Sequence, residues 1–444
     1  MIETIGRLIQ NKKVLLLGLG REGRSTLHLL QKVGGYRSIT VADRNPVTLP
    51  DGADCTLLSG PDYQKTLDEY DLVIKSPGIV LERPYESYCC LITSQVELFL
   101  SVYGRQTIGI TGTKGKSTTT TLLYHVLKEN AVNCVMMGNI GIPPFDCLDD
   151  ITPQTVVVME LSCHQLEYTR FSPHIGVLLN VFEEHLDHYG TFEKYRAAKE
   201  NIYRFQQKGD FLYCHQPDLP VDGTCAAKVF SLSGDDTPAD VQIVGNKVML
   251  SDGGEYLIPT EGVRLLGQHN AFDIGVVYAI CARSGISDDR FTAALKTYEP
   301  LPHRLQPVGE KRGIRFFNDS ISTIGETAIQ ALETLPDTDT ILIGGMDRGV
   351  DYAELIRYLS DSPVKHILLM EETGRRIYKE AMALPVKSPE RFQMTENLKD
   401  AVQKAAEITA PGKICLLSPA AASYGIFRDF IERGEVFCRY VEEL

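Results

Sequence analysis

Short, continuous apolar runs recur along the chain, and most lead through a turn into a segment with helical spacing. VLLLG (Val14–Gly18), SITVAD (ending at Asp43) and DLVIKSPG (Asp71–Gly78) form one such series. QTIGI (Gln106–Ile110), TVVVMEL (Thr155–Leu161) and HIGVLLN (His174–Asn180) form a second, with helices predicted to about Asn130 and over Phe192–Phe205. IRFFND, TILIGG, HILLM and KICLLSPA form a third, beginning near Leu301. Apolar runs without alternation fit strands covered on both faces, so the pattern predicts an α/β protein with parallel sheets. Three restarts in 444 residues predict three domains, over 1–100, 101–300 and 301–444. Residues 208–262 are richer in Gly, Asp and Pro and predict a small antiparallel region.

Composition narrows the partners. The chain is 43% apolar and 23% charged, with a net charge of −13. Such an acidic balance excludes a general nucleic-acid binder, which needs a basic face. No apolar run approaches the length that spans a bilayer, and MIETIGRLIQNKK has no signal-like apolar stretch, so the expectation is a cytoplasmic protein without a membrane partner. The 11 cysteines lack metal-site or disulfide spacing and read as small buried hydrophobes.

The most informative stretch is GITGTKGKSTTT (Gly109–Thr120). An apolar strand precedes it and a helix follows, the context in which backbone N–H groups at a helix N-terminus cradle phosphate. Gly112, Thr113, Lys114 and Gly115 supply the turn, Lys116 a cation for the β- and γ-phosphates, and Ser117 or Thr118 a hydroxyl for Mg²⁺. The run is two residues shorter than the usual phosphate loop. GLGREG (Gly18–Gly23), with Asp43 ending the next strand, fits a dinucleotide fingerprint, but the second half of such a fold is not evident. Glu160 ends a buried strand, where a Mg²⁺ ligand belongs. By spacing alone Lys199 is a solvent-facing helix lysine, and His185 and His188 are structural histidines.

TGTKGKST resembles the ATP-binding loop of the Mur ligases, the ATP-dependent peptide ligases of peptidoglycan precursor synthesis. GNIG (Gly138–Gly141), ELSCHQLE (Glu160–Glu167), NVFEEHLDHYGTFEKYRAAK (Asn180–Lys199), GQHN (Gly267–Asn270), LPHR (Leu301–Arg304), NDS (Asn318–Ser320) and LLSPAAAS (Leu416–Ser423) resemble further motifs of that family. The length, GLGREG, SPGI and the SPAAAS tail most resemble the members that add glutamate to UDP-N-acetylmuramoyl-L-alanine.

This resemblance implies a Rossmann-like N-terminal domain for the UDP-sugar, a central P-loop ATPase-type domain, and a Rossmann-like C-terminal domain. It implies that Gly20, Asp43, Arg44, Ser76, Gly78 and Asn139 hold the sugar nucleotide. Asn270, Arg304 and Asp319 would contact ATP. Ser117, Glu160, His185 and a carbamylated Lys199 would bind Mg²⁺, with Lys116, Lys199 and His185 catalytic; His188 has no such counterpart. Thr323, Arg348, Ser423 and Phe430 would bind the amino acid. A monomer acting on small-molecule substrates is expected. Two positions depart from the family pattern: Ile321 stands where a Lys is common, and Arg348 replaces a second Lys. L-glutamate is therefore an alternative to D-glutamate. A folylpolyglutamate synthase-like ligase and a non-catalytic dinucleotide-binding module are further alternatives.

Overall fold

The computed structural model describes residues 1–444, the side chain of Asp187 apart. The chain divides into two compact units, Met1–Val263 with His269–Tyr298, and Arg264–Gln268 with Glu299–Leu444.

The first unit holds two sheets. One comprises β1 (Lys13–Leu17), β2 (Ser38–Asp43), β3 (Thr56–Ser59), β4 (Leu72–Lys75) and β5 (Leu91–Thr93), in the order β3-β2-β1-β4-β5. All its pairings are parallel. The strand order reverses beside β1, which puts the glycine turn after Leu17 at the switch point where α/β sheets bind ligands. That turn is sterically fixed. A Cβ on Gly18, whose φ is +95°, would lie 2.6 Å from Ile79, and one on Gly23 would lie 2.1 Å from the Gly18 carbonyl oxygen. Helix Arg21–Val33 can thus approach the strand only through glycine.

The second sheet comprises β6 (Thr107–Thr111), β7 (Cys134–Gly138), β8 (Val156–Glu160), β9 (Ile175–Leu178), β10 (Phe211–His215), β11 (Lys228–Ser233), β12 (Val241–Val244), β13 (Lys247–Leu250) and β14 (Glu255–Leu257). Its order is β14-β13-β12-β11-β10-β9-β6-β8-β7. β6, fully buried, lies between β8 and β9, so the loops after these three strands emerge side by side. One apolar cluster contains Leu16 and Ile74 of the first sheet with Met137, Met159 and Leu178 of the second.

Two expectations need correction here. The small antiparallel region is present in the β12–β13 and β13–β14 pairings but does not fill 208–262: β10, β11 and the β11–β12 pairing extend the parallel sheet. The helix expected through Phe205 ends at Glu200. Beyond it the Ile202 and Tyr203 amides bond three residues back, while Asn201 Nδ2 donates to the Leu166 and Glu167 carbonyls and ties the chain down.

The second unit contains β15 (Gln306–Lys311), β16 (Ile314–Asn318), β17 (Thr338–Gly344), β18 (His366–Met370), β19 (Phe392–Met394) and β20 (Ile414–Leu417), ordered β15-β16-β20-β17-β18-β19. The hairpin β15–β16 is antiparallel and the other pairs are parallel. Among the described residues no helix is long and apolar enough to cross a membrane.

Candidate functional site

In the first unit the phosphate loop is held from beneath. Asn180, the residue after the apolar stretch containing β9, accepts the Thr113 and Lys114 amides on Oδ1 at 3.0 and 2.8 Å. Its Nδ2 donates to the Lys114 carbonyl. The Thr113 hydroxyl lies 2.9 Å from the Tyr195 hydroxyl. Gly115 takes the left-handed conformation, φ +82°, and starts helix Lys116–Glu129. A Cβ there would lie 2.6 Å from Asp273 Oδ1, so this position needs glycine on two counts. Ser117 and Thr118 occupy the first turn of that helix, where backbone N–H groups have no intrahelical acceptor.

Lys116 Nζ folds back to donate to the Gly112 and Thr113 carbonyls. Lys199 is not solvent-facing. It is 1% exposed, and its Nζ donates to the same Gly112 carbonyl at 2.7 Å. Burial, reinforced by the Lys116 charge, lowers its pKa to about 7. Lys116 is lowered for the same first reason, burial, against the pull of Glu160 and Glu184.

Glu160 is 1% exposed. Its Oε1 accepts from Asn139 Nδ2 at 2.6 Å, and its Oε2 is buried without a hydrogen-bond partner. A carboxylate oxygen left this way, among two ammonium groups, fits a bound cation's ligand shell. His185 follows β9 in the left-handed region, φ +57°. Its ring lies 5.0 Å from that of His164 and 6.1 Å from that of Tyr195. His188 is held by Glu167 at 3.1 Å. Asn270 is buried in helix Gln268–Arg283.

At the switch point of the first sheet, Asp43 accepts the Leu19 and Asn45 amides, and Ser76 Oγ donates to the Gly18 carbonyl. Gly20 caps helix Arg21–Val33, and a Cβ there would meet nothing within 4 Å. Arg44 is exposed, and Gly78 has a φ of +76°. Arg21 donates to the Asn139 carbonyl at 2.9 Å, linking this edge to the loop after β7.

In the second unit, Asp319 is 3% exposed. It accepts from the Leu305 amide and from Ser322 and Ser418 hydroxyls, and burial raises its pKa to about 6. Arg304 sits between His303 and Leu305, both at positive φ, and its charge acts on Asp319. Ser423 is buried, and Phe430 begins helix Phe430–Glu442, its carbonyl accepting from Ser320 Oγ. Thr323 and Ile321 are half-buried, and Arg348 is exposed. A bridge between Met346 and Ala422 brings the Arg348 and Ser423 loops alongside each other.

The reading of motifs did not assign Asn180, Tyr195, Asp273 or Arg433. Asn180 carried a usable signal, a polar residue closing a buried apolar run, as Glu160 does. Arg433 carried none: a guanidinium in a helix reads as surface, yet it is 1% exposed.

Comparison with known proteins places the chain among relatives. The Mur ligase middle domain matches residues 110–280, and the Mur ligase glutamate ligase domain matches residues 303–421. A curated UDP-N-acetylmuramoylalanine–D-glutamate ligase of Geobacillus kaustophilus is 34% identical, over 99% of both chains. That of Streptococcus suis is 33% identical over 98% of this chain and 99% of its own. Among solved structures, MurF of Thermotoga maritima in complex with ADP has a TM-score of 0.59 at 18% identity, covering 99% of this chain and 97% of its own. MurC of the same organism has a TM-score of 0.60 at 17% identity, covering 97% and 99%. With end-to-end similarity of this kind and a shortened phosphate loop backed by Glu160 and Lys199, the chain belongs to the Mur ligase family.

Proposed function

We propose that this protein is an ATP-dependent amide ligase that joins D-glutamate to UDP-N-acetylmuramoyl-L-alanine. The carrying observation is full-length similarity, 34% identity over 99% of the chain, to a ligase named for that reaction. In this reading the region 1–100 holds the UDP-sugar at the β1–β4 switch point. The region 101–300 binds ATP, and 301–444 supplies Arg304, Asp319 and the amino-acid pocket around Thr323, Arg348, Ser423 and Phe430.

The residues divide the work by chemistry. The N-terminus of helix Lys116–Glu129 receives the phosphates, and Lys116 leaves the loop carbonyls to meet the β/γ oxygens. The alanine carboxylate attacks the γ-phosphate, forming an acyl phosphate and ADP. The glutamate amine then attacks that carbonyl carbon and releases phosphate, which splits one difficult condensation into two easier ones. Lys116 reduces the repulsion between carboxylate and phosphate in the first step.

Mg²⁺, when bound, neutralises phosphate charge as the γ-phosphoryl group moves. Glu160, Ser117 and His185 would hold it. Lys199 would join them as a carbamate, formed when its neutral amine adds CO₂ and loses a proton. A buried amine with a pKa of about 7 is neutral often enough to react in this way. A carbamate is an anion, so it attracts the cation that an ammonium repels.

The deciding experiment measures ADP release with UDP-N-acetylmuramoyl-L-alanine and either D- or L-glutamate. Turnover that requires the sugar nucleotide and D-glutamate supports the proposal. Turnover with L-glutamate alone would reassign the stereochemistry to the altered Ile321 and Arg348 positions. Turnover without any need for the sugar nucleotide would overturn the reading.

A further inference from the structure

The loops after β8 and β9 bring together three side chains that the ligase chemistry above does not use as a set. Cys163 Sγ and ring nitrogens of His164 and His185 all lie within 4.8 Å of one another. The sequence hides this cluster, because no CxxC pair marks it and His185 lies far along the chain from the adjacent Cys163 and His164. Cys163 and His164 stand three and four residues past Glu160, while His185 follows the other neighbour of β6.

We propose that these residues form a site for a thiophilic divalent cation, of the Zn²⁺ or Co²⁺ class, that shares His185 with the Mg²⁺ site. One thiolate and two imidazoles are a poor set for Mg²⁺, which prefers oxygen, and a good set for Zn²⁺. Tetrahedral bonding at ordinary Zn–S and Zn–N lengths separates the donors by about 3.3–3.6 Å, so the cluster closes with about 1 Å of side-chain movement. The exposed His185 leaves a fourth position open to water.

Neighbours support the donors as they do in metal centres. Tyr189 stacks on His164, ring planes 2° apart, with its hydroxyl 3.2 Å from Nδ1. The His188 ring packs 4.4 Å from that of His164 and is itself anchored by Glu167. Such outer contacts orient imidazole ligands.

The consequence for catalysis rests on the proposed ligase reading. A thiophilic cation that takes His185 removes a ligand from Mg²⁺, so the two sites exclude each other. Zn²⁺ then acts as a reversible brake on ATP-driven ligation.

The test begins with metal binding in the full chain, which does not depend on turnover. Co²⁺ titrated into metal-free protein is expected to give tetrahedral d–d bands and a thiolate charge-transfer band, saturating at one equivalent. Cys163→Ser is expected to lose the charge-transfer band, and His164→Phe to weaken Co²⁺ binding by about tenfold or more. No charge-transfer band in the wild type, or an unchanged band in Cys163→Ser, overturns the site. Zn²⁺ at fixed Mg²⁺ is expected to inhibit wild-type ADP release, reversibly with chelator, and to spare Cys163→Ser. Equal inhibition of both proteins overturns the coupling through His185. A Co²⁺ band in a protein without ligase turnover would leave the site standing and remove the ligase reading instead.

Discussion

Lys116 and Lys199 donate to one acceptor, the Gly112 carbonyl oxygen, at 2.9 and 2.7 Å. Two ammonium groups converging on one oxygen repel each other, and with little water nearby the repulsion is weakly screened. The arrangement becomes favourable once one amine loses its charge, and Lys199, with a pKa of about 7, is the one placed to do so.

Lys199 is expected to be carbamylated. At fixed CO₂, the reactive neutral amine increases as pH rises through about 7, because the proton is lost there. The carbamate signal in ¹³C NMR with labelled bicarbonate, corrected to constant CO₂, should therefore grow between about pH 6 and 8. Lys199→Ala should abolish that signal and reduce kcat by about two orders of magnitude or more, as loss of a charge-stabilising group does. An unchanged signal in the variant would sink the assignment.

Asn180 should control the loop without touching the transferred phosphoryl group. Its side chain accepts two amides and donates to one carbonyl of the loop. Asn180→Ala removes all three, at about 1 kcal/mol each. Thr113 stays tied to the Asn180 backbone carbonyl and to Phe182 and Tyr195, so the substitution chiefly loosens Lys114. ATP affinity should fall by about tenfold or more, while binding of the UDP-sugar, measured calorimetrically without ATP, stays near wild type. Equal losses for both ligands would place Asn180 in the general fold instead.

How much of this was readable in advance depended on where each element lies. The central strands β1, β6, β8 and β9 are buried on both faces, so their apolar runs were visible. β3, with the pattern exposed, half-buried, half-buried, exposed, had no such run. The phosphate loop was legible because its glycines and lysine are close in sequence. Lys199 misled by helical spacing, since only tertiary packing puts that helix face beneath the loop. Arg433 and the Cys163–His164–His185 cluster were invisible because their partners arrive from distant strand ends.

Asp319 should make the second unit's stability depend on pH. Its pKa of about 6 lies above the ordinary carboxylate value, chiefly through burial. The folded state therefore holds a proton more tightly than the unfolded chain between about pH 4 and 6. Stability is present below that window and is lost as pH rises through it, by roughly 3 kcal/mol in total. Asp319→Asn keeps an acceptor for the Leu305 amide and removes the titration. The difference in unfolding free energy between variant and wild type should then shift in the variant's favour from pH 4 to 7. Parallel pH profiles in urea titrations would contradict this.

Arg433 should matter to glutamate more than to ATP. Its Nη2 donates to the Ser320 carbonyl at 2.8 Å, its Nε to Ser320 Oγ at 3.0 Å, and its Nη1 to the Ala421 carbonyl at 3.0 Å. Ser320 Oγ in turn donates to the Phe430 carbonyl at 2.8 Å. One guanidinium thus links the Ser320 turn, the loop that carries Ser423 and the start of the helix that carries Phe430. Burial draws its pKa down to about 10, with Glu371 as the opposing charge, so it remains a cation at neutral pH. Arg433→Ala would strand these acceptors and Glu371, costing about 3–5 kcal/mol, and the protein should melt early. Arg433→Lys is the sharper probe: it keeps the charge but cannot reach both loops as a planar fork does. The KM for glutamate should rise about tenfold, as for one lost charged hydrogen bond, with the KM for ATP changed far less. A larger rise for ATP than for glutamate would show that the link serves a different part of the unit.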